Sequence, residues 1–136
     1  MTHATGGCLC GAVRFELSAE PVFQFACHCT DCQKASGGAP ALGIAVPEAA
    51  LTLTKGAAKD YSVAGESGGL VKRSFCETCG SPLFSRPQVM PGMVIIKIGA
   101  LDDPSGFKPQ VDLYMASARP WHAPHEGAAP FQRGPG

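Results

Sequence analysis

Residues 27–32 read Cys-His-Cys-Thr-Asp-Cys, and two further cysteine pairs flank them, Cys8-x-Cys10 and Cys76-x-x-Cys79. Sulfur at such spacing is metal-binding chemistry, since a tight turn can offer two thiolates to one ion. Cys10 is followed by Gly11 and Cys79 by Gly80, and a glycine just past the second sulfur suits the positive φ that such turns need. The two cysteine–glycine turns are therefore expected to pair as one closed structural zinc site of Cys8, Cys10, Cys76 and Cys79, the rival reading being free buried thiols. Such a site ties distant parts of the chain together and contributes about 10 kcal/mol to folding in small domains.

The seven cysteines then leave three, Cys27, Cys29 and Cys32. Three protein ligands with a fourth position open is the pattern of a catalytic zinc. Two other readings stand beside it. His28 could complete a closed Cys3His site, or the cluster could be metal-free and oxidisable. Neighbouring side chains on extended chain leave on opposite faces, so His28 is expected to point away from Cys27 and Cys29, as a supporting donor or a surface residue.

The elements that must position these residues are short. The chain of 136 residues is 45% hydrophobic and 16% charged, with Gly 17 and Pro 12, which predicts one globular domain broken often by turns. Alternating or apolar runs predict strands at residues 12–17, 22–26, 42–46, 51–54, 61–63 and 70–75, from Leu83, and at residues 93–98 and 111–115. The run 93–98, MVIIKI, is the strongest and is expected to be central. Residues 30–36 and 47–50 suit single helical turns, 65–69 a turn or mobile loop, and 123–136 an irregular tail. The expected fold is mostly β: a single domain, 1–136, of eight or so short strands whose loops carry the chemistry.

Eleven basic residues balance eleven acidic ones, so there is no overall pull toward nucleic acid or an anionic membrane. No uncharged stretch is long enough to cross a bilayer, and the N-terminal segment lacks the pattern of a secretory signal. The default expectation is a cytoplasmic, reducing location, where clustered cysteines serve metals or catalysis rather than disulfides.

Three blocks, GGCLCGAVRF at residues 6–15, FACHCTDCQKASGG at 25–38 and FCETCGSPLF at 75–84, together with Lys108-Pro109, Arg119-Pro120-Trp121 and Pro130-Phe131, resemble the glutathione-dependent formaldehyde-activating family. That family also includes the catalytic-like domain of centromere protein V. The likeness runs from about residue 6 to 131. It implies a zinc-stabilised β-tent of stacked antiparallel sheets, a structural zinc on Cys8, Cys10, Cys76 and Cys79, and a catalytic zinc on Cys27, Cys29 and Cys32. It implies a carbon–sulfur lyase acting on a glutathione-like thiol and an aldehyde, the founding reaction being formation of S-hydroxymethylglutathione. The alternative is a non-catalytic zinc module that binds a protein or small ligand.

Substrate contacts are expected from Lys34, near the cluster in sequence, and from the Gly37-Gly38 loop, whose rival reading is an ordinary turn. Arg73 and Lys97 lie on expected strands and could point either way. Two positions depart from the family pattern, Gln33 where Arg is frequent and Asp112 where His is frequent, and both are read as bearing on the substrate pocket. Trp121 is expected to close one end of the core, and His3, His122 and His125 to lie at the surface.

Overall fold

A computed structural model describes residues 3–66 and 68–134. Its strands are β1 (Ala4–Gly7), β2 (Arg14–Leu17), β3 (Phe23–Cys27), β4 (Ala41–Pro47), β5 (Leu51–Lys55), β6 (Lys59–Ala64), β7 (Leu70–Phe75), β8 (Pro82–Pro87), β9 (Met93–Lys97), β10 (Val111–Leu113) and β11 (Ala129–Pro130). One α-helix among the described residues, α1 (Thr30–Ser36), begins within the cysteine cluster and contains Cys32. Residues 48–50, after Pro47, form one of three 3-10 turns among the described residues; the others are 98–100 and 115–117. No helix among the described residues is long and apolar enough to cross a membrane.

The strands form two stacked sheets. One has the order β1-β2-β5, and the other β11-β10-β3-β4-β9-β8-β7-β6. Pairing is antiparallel except at one end of the larger sheet, where β10 runs parallel to both β3 and β11. That end departs from the all-antiparallel expectation. The tail also departs from it, because residues 129–130 form β11, and the Phe131 amide donates to the Asp112 carbonyl at 2.8 Å. Short and built mainly of small residues, β1 and β11 lack the apolar alternation that reveals a strand; their backbone partners create them. Ser67, in the expected loop 65–69, lies outside the described residues; around it the Gly65 amide donates to the Gly69 carbonyl at 2.9 Å.

β4, and β9 as far as Ile96, are apolar because both their faces are covered. Ile44, Val46, Val94 and Ile96 join Val13, Phe15, Leu17, Leu83 and Phe84 in the core between the sheets. The alternate residues Ala45 and Ile95 leave on the other face, where they pack with Phe25, Cys27, Cys29 and Leu113 in a second, smaller core. β9 thus holds the central place expected of residues 93–98. Trp121 is in neither core. It stands at the tip of a turn closed by the His122 amide on the Arg119 carbonyl and is 77% exposed, which overturns its expected packing role. Phe131 packs against the smaller core instead.

Phe15 is fully buried edge-on to Phe84, ring centroids 5.1 Å apart. Truncation to Ala leaves a cavity between the sheets, and Phe15→Ala is expected to cost about 3–5 kcal/mol in denaturant unfolding. Val22→Ala, at an exposed site, should stay within about 0.5 kcal/mol.

Candidate metal centres

The two cysteine–glycine turns meet. Cys8 and Cys76 each donate their backbone N–H to the carbonyl five residues on, Val13 at 3.1 Å and Ser81 at 3.0 Å. Gly11 and Gly80 complete the turns at φ 80° and 79°, a region that costs other residues about 1–2 kcal/mol. The four sulfurs all lie within 4.8 Å of one another, with Cys8–Cys10 at 3.6 Å and Cys10–Cys76 at 3.8 Å. A tetrahedron of thiolates about 2.3 Å from zinc has edges of about 3.8 Å, so the donor set fits that ion. Ser81 links the turns. Its Oγ accepts the Leu9 N–H at 3.0 Å and lies 3.1 Å from the Cys79 sulfur. Hydrogen bonds from the Ser81 side chain and backbone pull the Cys79 thiol down to about 5.

Cys27, Cys29 and Cys32 come together in the same way, within 4.8 Å. Strand β3 delivers Cys27. Cys29 caps α1, its sulfur accepting the Cys32 amide at 3.2 Å, and Cys32 lies on the first turn of that helix. The three sulfurs line a cavity of about 130 Å³. Its walls are largely apolar, including Phe23, Phe25, Ile95, Leu113 and Met90. Gly43 makes room for Phe25, since a Cβ there would stand 3.0 Å from the ring.

Arg73 and Lys97 also line this cavity. Arg73 Nη2 is 4.0 Å from the Cys32 sulfur. Hydrogen bonds from Cys27 and Cys29, then the charges of Lys97 and Arg73, hold the Cys32 thiol far below its ordinary range. Cys27 shifts up, through its hydrogen bonds to Cys29 and Cys32 and through burial. Burial lowers the Lys97 ammonium, with Cys32 opposing the shift. Alternation was the available signal for Lys97. In MVIIKI, Lys97 shares the parity of Ile95, which faces the smaller core, and not that of Val94 and Ile96.

The other expected contacts are scattered. Lys34 is exposed on α1 and is absent from the cavity wall. Gly37 is the left-handed cap of α1, φ 76°, its N–H donating to the Gln33 carbonyl. Gly38 lines a second cavity, of about 610 Å³, together with Lys97. Gln33 is also absent from the cysteine cavity. Its amide nitrogen donates to the carbonyls of His28 at 2.7 Å and Ser117 at 3.1 Å, while its oxygen accepts from Arg119 at 2.7 Å. It fastens the helix to the tail.

His28 does point away from the sulfurs, but it is not at the surface. Its side chain is 1% exposed, and Nε2 donates to Asp112 Oδ1 at 2.8 Å. His122 and His125 lie beside it, the His28–His122 rings tilted with centroids 5.3 Å apart and the His122–His125 rings edge-on at 5.1 Å. Both are partly buried rather than surface residues. Asp112 likewise faces these histidines and not the cavity. Burial alone would raise its pKa; hydrogen bonds from His28 and from the side chain and backbone of His125 outweigh this and hold it below the usual carboxylate range.

A lowered Cys32 pKa means that its thiolate persists into acid. In protein freed of metal at this cluster, Cys32 should be alkylated fastest of the three at about pH 6. Arg73→Gln removes a positive neighbour and should move the Cys32 midpoint upward. Labelling rates against pH, read by mass spectrometry, check both; equal rates for all three sulfurs would contradict the assignment.

Known proteins agree with this architecture. A crystal structure of a protein from Rhodobacter sphaeroides superposes with a TM-score of 0.60 at 23% identity, covering 77% of this chain and 91% of that one. At that identity the likeness shows a shared fold. The sequence profile described as glutathione-dependent formaldehyde-activating enzyme matches residues 3–117. With both cysteine clusters inside that span, the chain belongs to the glutathione-dependent formaldehyde-activating enzyme family.

Proposed function

We propose that this protein forms or cleaves the carbon–sulfur bond of a thiol–aldehyde adduct such as S-hydroxymethylglutathione, as a zinc-dependent carbon–sulfur lyase. The observation that carries this reading is the meeting of three cysteines, two cations and apolar walls in one cavity. Zinc on Cys27, Cys29 and Cys32 would supply a Lewis acid with a position left open to a substrate thiol or carbonyl oxygen. A second zinc on Cys8, Cys10, Cys76 and Cys79 would be structural.

The reaction joins the thiol sulfur to the carbonyl carbon and moves the S–H proton to the carbonyl oxygen. A thiolate is the nucleophile, and Arg73 and Lys97 favour negative charge beside Cys32. The apolar side chains keep competing water from the carbonyl carbon. At about 130 Å³ the cavity is well below the roughly 300–1,000 Å³ of sites for drug-sized ligands. It suits a small aldehyde such as formaldehyde and the thiol end of a partner. Lys97 borders the larger cavity as well, where the body of a peptide-like thiol has room and where Gly38 would adjoin it. Lys34 is left outside this substrate path. The closed Cys3His alternative has nothing to support it, because His28 is turned toward Asp112.

Zinc-loaded protein is expected to accelerate consumption of formaldehyde plus glutathione over buffer. Cys29→Ala should reduce the rate at least about 100-fold, and Lys97→Met about 10-fold in kcat/KM. No acceleration by the zinc-loaded wild type would eliminate this substrate pair. Separately, Cys79→Ala should remove one zinc per chain and most of the roughly 10 kcal/mol that such a site contributes to folding. Elemental analysis and thermal unfolding report the two effects.

A further inference from the structure

The cysteines leave one ligand-rich cluster unexplained. His28, His122 and His125 each offer a ring nitrogen, and the three nitrogens lie within 4.8 Å of one another. Asp112 sets the tautomers of two of them. A carboxylate only accepts, so His28 carries its proton on Nε2, 2.8 Å from Oδ1, and His125 on Nδ1, 2.9 Å from the same oxygen. The free lone pairs are then His28 Nδ1 and His125 Nε2. His28 Nδ1 is buried without a hydrogen-bond partner, and so is His122 Nε2. Two orphaned ring nitrogens in one buried cluster are costly, each worth about 1–3 kcal/mol unless something binds them. A carboxylate on the far nitrogen of a ligating imidazole is also the usual support of a metal-bound histidine.

We propose that His28, His122 and His125 form a third metal site, for a divalent transition ion of the zinc, nickel or copper class, with Asp112 orienting two of the ligands. All-imidazole donors select that class over calcium or magnesium. A tetrahedral site with metal–nitrogen distances of about 2.0–2.1 Å has edges of about 3.4 Å, so from a spread of up to 4.8 Å the imidazoles must draw in and turn their free nitrogens toward one ion. His122 and His125 sit outside regular secondary structure, so no helix or strand fixes their positions. The ion would tie residues 122–125 to the segment between Cys27 and Cys29. It would steady that segment from the face opposite the cavity.

Metal content and cobalt spectra test this on the whole protein. Wild type equilibrated with zinc should hold one more ion per chain than either His122→Ala or His125→Ala, by elemental analysis. In wild type loaded with cobalt(II), the ion bound at the histidines should add d–d bands without sulfur-to-cobalt charge transfer. Both variants should lose those bands and keep the charge-transfer absorption of the cysteine sites. Equal metal content in wild type and both variants would overturn the proposal. So would a cobalt increment in wild type that always brings sulfur charge transfer, a result independent of whether the variants fold. Neither readout depends on catalysis, so failure of the lyase reading leaves this test intact.

Discussion

Successive side chains on an extended strand leave on opposite faces, and at the end of β3 this puts two sulfurs on one side and an imidazole on the other. Cys27 and Cys29 enter the smaller core and its cavity, while His28 meets Asp112 behind the strand. Much else follows from that pleat. The register of β10 on β3 sets Leu113 beside Cys27 and Asp112 beside Ala26. Leu113 of β10 therefore lines the cavity, and Asp112, of the other parity, supplies the carboxylate. β4 and β9 continue the rule, sharing their residues between two cores.

Buried charge in this fold is matched to its surroundings. Asp112 is fully buried yet accepts three hydrogen bonds from His28 and His125, without which burial would favour its protonated form. On the other face, Arg73 and Lys97 are half-buried beside the cysteines, where a lone cation would be costly and a thiolate is its counter-charge. The two faces thus have different characters. One is an apolar cavity with a concentrated pairing of sulfur and cations, and the other a compact polar cluster of imidazoles around one carboxylate. Gln33 and the tail bind the helix between them, through the His28 and Ser117 carbonyls and Arg119.

Much of the architecture and of the sulfur chemistry was legible in the chain. Apolar runs mark β4 and β9, glycines mark both cysteine turns, and the spacing of the seven cysteines divides them into four and three. Those signals are local, because period-two alternation and a left-handed turn are properties of a few consecutive residues. The polar residues of the cysteine cavity were less legible. Lys34 is close to the cluster in sequence but outside its cavity, whereas Arg73 and Lys97 reach it from strands far along the chain. Trp121 shows the same limit from the other side: an aromatic residue suggests a core position, but a turn leaves it in solvent.

By itself, then, the sequence determined which apolar runs are extended, which turns present sulfur and which residue types are available as ligands. Tertiary structure decided which of them meet. His28 and His125 are joined through Asp112 only because β10 lies parallel to β3 and the tail returns along β10 as β11. Strand pairing between distant segments depends on register and on competing burial across the whole domain, and no window of neighbouring residues contains that information.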